Sequence, residues 1–382
     1  MSRRPVRLFV DATPLAADAL TGVGHVLVET VTALLAPEFA DRVEVVLVMP
    51  ASERAAVARH APAGARLRSL PLPRRLYGLL TRTPFPIDLL VGRGVYFFPN
   101  FRNWRTVSPS ITFLHDVCFA VEPALVPAGR RRMLSDNVPR WLARTSLVAT
   151  GTPSAAREIT AFLGVEESRI TVLPTTVDAA VFRPRPESER AAAAALLEVG
   201  RYVLFVGSIE PRKNLAHLVR SYAAADLPAG HTLLLVGASA WDDADVRAEL
   251  DRAVASGVDA RIASQRVSDA LMPALMSGAD AVVLVSLHEG FGLPALEAVA
   301  TGTPVIASDI AGIHDALSGL EDAAVFVDPR SQPELVAALE DAVRAPRRVE
   351  PGPVRPWSDA ASALVRAAEE LTAVRRRSSS RR

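Results

Sequence analysis

Apolar residues recur along this chain in short runs that are each followed by a stretch of helical period. Arg7–Asp11, Ile111–Val117, Ser146–Thr150, Tyr202–Val206 and Asp280–Val285 have the length and β-branched content of buried parallel strands. Behind them come helix signals. Val26, Val31, Leu34 and Leu35 follow the first run, and Leu215, Leu218, Val219 and Tyr222 follow the fourth. After the fifth run, Pro294 suits a first helical turn and Ala295–Ala300 favour helix, so a helix is expected from about Leu293, ended by Gly302 and Pro304. Such alternation in both halves predicts an α/β protein of two Rossmann-like doubly wound units.

A chain of 382 residues is long for one core and suits two. Phe182–Arg190, dense in proline and charge, is the expected linker, with an alanine helix at Ala191–Leu197 beyond it. The expected units are 1–182 and 183–355. A helix in 356–374, read over Trp357–Leu371, and a disordered basic tail at 375–382 complete the plan.

The loop after the fifth strand carries the densest chemistry. Backbone N–H groups of Gly292, Leu293 and Ala295 are expected to point out of a helix N-terminus, where unpaired donors and the macrodipole favour a diphosphate. Glu289 precedes the helix and Glu297 lies about a turn inside it, and carboxylates accept hydrogen bonds from sugar hydroxyls. A loop charge and a favourable first-turn acid would explain the same two residues more plainly.

Glu289, Gly290, Phe291, Gly292, Leu293, Pro294, Glu297, Gly302, Thr303, Pro304 and Val305 together closely resemble the E-x7-E signature of retaining glycosyltransferases of the family-four (group 1) type. The resemblance implies the GT-B fold, two Rossmann-like domains facing each other across a cleft. It gives Glu289 the donor sugar's hydroxyls, Glu297 the ribose hydroxyls, and the amides from Gly290 through Phe291 and Gly292 to Leu293 the sugar and diphosphate. Gly207-Ser208-Ile209-Glu210-Pro211-Arg212-Lys213-Asn214 is similar to the family's Gly-x-x-x-Pro-Arg-Lys element, in which the lysine, here Lys213, neutralises the departing diphosphate. Many members carry arginine where this chain has Ser208, which makes Arg212 the candidate replacement. Arg266 and Val267 resemble the loop that frames the nucleobase.

In the N-terminal half the resemblance sets Gly22 and Gly24 as a glycine loop facing the diphosphate, and His115, in a His-Asp pair at a strand end, beside the donor sugar. Read alone, a Gly-x-Gly is usually a turn and a strand-end histidine is more often structural. Thr152 and Ser154 sit in a turn resembling one that lines the family's cleft, and are equally suited to cap the helix behind it. Thr176 stands where the family usually has glycine; a β-branched residue resists positive φ, so that turn should differ.

Charge narrows the partners. With 43 Lys and Arg against 42 Asp and Glu, no global field invites nucleic acid. Local basic clusters at Arg3-Arg4, Arg74-Arg75, Arg130–Arg132 and Arg375–Arg382 read either as solvated arginines or as peripheral contact with an anionic membrane. One cysteine, Cys118, excludes an internal disulfide, and no apolar run is long enough to span a bilayer. A cytoplasmic protein, with contact at the inner membrane face as the sharper reading, is expected. Trp241–Asp245 looks like a carboxylate cluster but suits a helix N-terminus, and no protein-held metal or other cofactor is expected.

The function expected is retaining transfer of a sugar, with a slight lean to mannose, from a nucleotide-diphosphate sugar to a glycan, lipid-linked or small-molecule acceptor. A non-catalytic nucleotide-sugar-binding subunit and a GT-B sugar-nucleotide epimerase are the alternatives. The loops Leu72–Arg93 and Phe97–Val107 carry no readable acceptor motif, and Tyr96, Phe97, Phe98, Phe101 and Trp104 read as packing more than as a stacking surface.

Overall fold

The structure, a computed structural model, describes residues 4–80, 83, 85–240, 243–263 and 267–379. It divides into two compact units. The first comprises residues 1–121, 129–175 and 356–382, and the second residues 122–128 and 176–355.

In the first unit β1 (Val6–Asp11), β2 (Val43–Pro50), β3 (Arg66–Leu70), β4 (Val95–Phe98), β5 (Ser110–Leu114), β6 (Leu147–Thr150) and β7 (Ile170–Val172) form a parallel sheet in the order β3-β2-β1-β4-β5-β6-β7. In the second, β8 (Tyr202–Val206), β9 (Thr232–Val236), β10 (Ala260–Ile262), β11 (Ala281–Leu284), β12 (Val305–Ser308) and β13 (Ala324–Val327) form another, in the order β10-β9-β8-β11-β12-β13. Both sheets wind outward, return to the start and wind the other way. The reversal leaves a crevice beyond the carboxyl ends of β1 and β4, and of β8 and β11, where loops diverge and ligands of doubly wound sheets bind.

Strands β11 and β12 are buried at every position, because helices cover both faces; this is why they read as unbroken apolar runs. The aromatic run behaves as packing: Tyr96, Phe97 and Phe98 fill β4, and Trp104 stacks edge-on against Phe98 and Tyr77.

Three boundaries differ from the sequence expectation. The main segment of the second unit begins at Thr176, not after Phe182, because Phe182 packs with Val177, Leu296 and Phe291. The proline-rich linker ends early, since a helix already runs from Glu187 to Leu196, its first turn favoured by Glu187 and Glu189. The last helix extends from Trp357 to Ser379, well past Leu371, so the basic segment is not separated from it at residue 375. That helix packs into the first unit's core through Ala361, Leu364, Val365 and Ala368. Among the described residues no helix is long and apolar enough to cross a membrane.

Candidate functional site

The second unit's crevice is built by two loops. After β8, Gly207 to Glu210 lead into a 3-10 turn at Pro211–Lys213, and Asn214, at φ +58°, redirects the chain into the helix Leu215–Ala224. Asparagine tolerates this left-handed conformation better than most residues, and its side chain donates to Pro329 O at 2.7 Å. After β11, Ser286–Gly292 leads into the helix Leu293–Ala300. Gly292 stands at φ +96°, and a Cβ there would lie 2.5 Å from Ile313 Cδ1, so both conformation and space demand glycine.

The loops are tied together by charge. Glu289 is buried and receives Lys213 Nζ at 2.5 Å, Arg212 Nη1 at 2.7 Å and Ser286 Oγ at 2.6 Å. Arg212 also donates to His288 O at 2.9 Å and, through Nη2, to Glu210 Oε1 at 2.7 Å. Its own carbonyl accepts from Leu287 N–H at 2.9 Å. Burial alone would raise the Glu289 pKa, but the two cations outweigh it and hold the carboxyl below the ordinary carboxylate range. Burial acts the other way on Lys213, lowering its pKa, with Arg212 adding repulsion and Glu289 opposing both. The result is a compact set of two cations between two buried carboxylates, Glu289 and Glu210.

Glu297 lies one turn into the following helix and is half-buried. Burial, with Asp269 adding negative charge nearby, raises its pKa to about 7. Phe291 and Leu293 pack beside buried Val177 and Leu296, which fixes the start of the helix against the segment after Thr175. One expectation fails locally: the Ala295 N–H is not free but donates to Gly292 O at 2.9 Å, tightening the first turn. Gly290 and the N–H groups of Gly292 and Leu293 remain at the mouth of that turn.

Ser208 is half-buried beside Gly207 and brings a hydroxyl where a longer cation was expected in relatives. Arg212, the candidate replacement, directs its guanidinium to Glu289 and Glu210. Val267 packs on the edge of the core that holds Leu234 and Leu284, while Arg266 lies outside the described residues. Trp241 and Asp242 also lie outside them; Asp243 precedes the helix Ala244–Ala255 and pairs with Arg247 at 2.8 Å, as an acid at a helix start should.

The first unit contributes a different set. Gly22 opens the helix Gly22–Leu34 with nothing within 4 Å of where its Cβ would be, and a Cβ at Gly24 would meet Leu20 at 2.9 Å. His115 follows β5, its Nε2 2.8 Å from Pro99 O and its ring 4.6 Å from that of Phe113. Burial lowers its pKa, so the neutral ring donates from Nε2 and leaves Nδ1 as an acceptor. Val26, Phe97, Thr175 and Trp357 complete a small, largely apolar pocket around it. Thr152 accepts from Ala155 N–H at 3.1 Å and caps its helix, while Asp116 accepts from Cys118 N–H.

Two groups escaped the sequence reading. Glu210 and Ser286 hold Arg212 and Glu289 in place, and the signal for Glu210 was an acid two residues before a paired cation. Asp11 ends β1 with its pKa raised to about 6, chiefly by burial, with Glu53 adding to it. Only the register of a strand end marked it.

Known proteins share these features. The family model described as glycosyl transferases group 1 matches residues 200–345, and that of Glycosyltransferase Family 4 matches residues 28–181. The O-antigen chain mannosyltransferase B of Escherichia coli is 27% identical over 241 residues, 62% of this chain and 61% of that protein. The D-inositol 3-phosphate glycosyltransferase of Mycobacterium bovis is 32% identical over 205 residues, 52% of this chain and 40% of that protein. The matches thus span about half the length of these curated relatives. Among solved structures, Anabaena HepE in complex with UDP and glucose superposes with a TM-score of 0.65 at 16% identity, over 99% of each chain. Two family models that between them take in residues 28–181 and 200–345, together with that fold, identify this chain as a member of the family-four, group 1 glycosyltransferases of GT-B fold.

Proposed function

We propose that this protein is a retaining glycosyltransferase that moves a sugar from a nucleotide-diphosphate donor to a glycan, lipid-linked or small-molecule acceptor. The observation that carries the reading is the convergence of Glu289, Lys213 and Arg212 beside the start of the helix Leu293–Ala300, with Glu297 one turn along it. A diphosphate entering there meets two buried cations and the N-terminal amides of the helix, so negative charge developing on the leaving group is stabilised by groups already in place.

The donor must compete with Glu289 for those cations. As Lys213 and Arg212 turn towards phosphate oxygens, the Glu289 carboxylate is released to accept hydrogen bonds from the sugar, which orients the anomeric carbon. Glu297 takes the ribose hydroxyls, and Arg212 supplies the charge that Ser208 does not. Phosphate neutralisation falls to these side chains and amides without a metal held by the protein. No carboxylate is placed as a covalent nucleophile, so the acceptor attacks on the face from which the diphosphate leaves, and configuration is retained. Mannose is the favoured sugar because the Escherichia coli relative is named as a mannosyltransferase. Peripheral contact with an anionic membrane would give access to a lipid-linked acceptor.

A donor screen tests this: thermal shift with GDP-, UDP-, ADP- and dTDP-sugars, then hydrolysis or transfer with each hit, on wild type and Glu297→Ala. A selective shift lost in the variant is expected. A folded protein that shifts with none of them overturns the reading.

A further inference from the structure

A stretch of the first unit, separate in sequence from the donor-site residues, carries an unusual surface. Between Arg66 and Arg105 every charged residue except Asp88 is an arginine, and Asp88 is buried, accepting from the N–H groups of Val107 and Ser108. This stretch together with Val107 just beyond it holds six of the twelve large exposed apolar side chains among the described residues: Leu76, Leu79, Phe85, Leu89, Leu90 and Val107. Leu89 is 72% exposed and Val107 65%.

These residues form one face. The helix Arg74–Leu79 is held by Tyr77, edge-on to Trp104 at 4.6 Å, and the short helix Asp88–Val91 by Ile87 and Val91, which join Tyr77, Phe98 and Trp104 in a single buried cluster. With their inner residues sharing a core, their outer leucines share a surface. Ile87 N–H donates to Arg105 O, and Arg68 Nη2 donates to Leu90 O at 3.0 Å, which sets the Arg68 cation at the rim of the leucines. Arg75, Arg93 and Arg102 are also exposed.

We propose that this face docks on a bilayer bearing anionic headgroups, leucines entering the interface and arginines pairing with phosphates. Protruding leucines without a groove fit a soft apolar layer, and a rim of one sign fits a surface of the other. A second copy of this chain is a poorer occupant, because a two-fold contact would set arginine against arginine with no exposed acid between them. The inference extends the acceptor reading to its lipid-linked branch but depends on none of the donor residues.

Co-sedimentation of the full chain with phosphatidylcholine vesicles, with and without phosphatidylglycerol, tests it. Wild type should pellet with the mixed vesicles and release as salt rises. Arg75→Glu and Arg93→Glu should each weaken binding at least about fivefold, since each neutralised arginine is worth about that factor and reversal adds repulsion. Leu89→Asp combined with Val107→Asp, both at exposed positions, should abolish it while leaving the thermal shift with nucleotide sugar unchanged. Equal pelleting of wild type and variants, no preference for phosphatidylglycerol, or lipid-independent self-association that consumes the face would each overturn the proposal. Glu297→Ala should pellet like wild type, so failure of the donor reading and failure of this one are separate results.

Discussion

The crevice beyond β8 and β11 and the crevice beyond β1 and β4 are the same architectural feature, a reversal of strand order in a parallel sheet, yet they are furnished in opposite ways. The second unit fills its crevice with ionised groups: Glu289 held below its ordinary range and clasped by Lys213, Arg212 and Ser286. In the first, burial instead works against charge, pushing His115 down and Asp11 up to about 6. A scaffold repeated within one chain therefore says where ligands bind and nothing about their charge. That is decided by the few loop residues after each strand.

The largest effect should come from breaking the charged crevice. Glu289→Ala leaves Lys213 and Arg212 buried beside each other without their shared partner, and loss of about 3–5 kcal/mol of stability in urea is expected, as for other buried pairs cut on one side. Glu289→Gln, which keeps the shape and one acceptor, should lose less stability but nearly all transfer. If Glu289→Ala unfolds at the wild-type urea concentration, the network is not the tie between the two loops. Lys213→Met removes the cation proposed to meet the leaving diphosphate, and should lower kcat by about 100-fold or more while the nucleotide still binds. His115→Ala, in the first unit's crevice, should cost distinctly less; equal losses in the two variants would erase the contrast between the crevices.

Acidity gives a sharper, smaller test. Glu297 has a pKa raised from 4.5 to about 7, so the folded state binds its proton more tightly than the unfolded chain. Stability from this group is fully present below pH 4.5 and is lost as pH rises to about 7. Glu297→Gln should therefore be more stable than wild type above pH 7, the advantage shrinking towards pH 4.5. Nucleotide affinity should run the opposite way, rising through pH 7 as the carboxylate forms and becomes a full acceptor for ribose hydroxyls. Calorimetric titration at pH 6 and pH 8 reads this; an affinity independent of pH in wild type would remove Glu297 from the ribose.

How much of this was legible in the residues depended on range. The strand β8 and the helix start at Leu293 lay in local patterns, apolar runs and a proline after glycine, and both form where those patterns lie. The Glu289 cluster was legible only as a list of candidates, because Lys213 and Glu289 are far apart in sequence and meet through the pairing of β8 with β11. The free Ala295 N–H was misread since the first turn closes on Gly292 O, a choice between hydrogen bonds that composition does not record. The unit boundary was missed for a related reason: a run of prolines and charges marks exposure, but contacts of Val177 and Phe182 with Leu296 decide which unit owns the segment.

The smallest expected effect concerns that same boundary. Thr176, where the family resemblance implied glycine, does not adopt positive φ; its hydroxyl donates to Arg355 O at 2.7 Å, tying together the two ends of the second unit's main segment. The side chain is buried, so the bond is shielded from water, whereas Arg355 itself is exposed and its carbonyl has solvent as an alternative partner. Thr176→Val keeps the volume and deletes only the hydrogen bond, and should cost about 1 kcal/mol. Thr176→Gly also loses the buried methyl group and frees the unfolded backbone, so it should cost more, about 2 kcal/mol. Equal stability of Thr176→Gly and wild type would mean that a glycine turn is available here at no cost and that the hydroxyl tie contributes nothing to stability. A loss in both variants, larger for glycine, makes the threonine this chain's own means of closing its second unit.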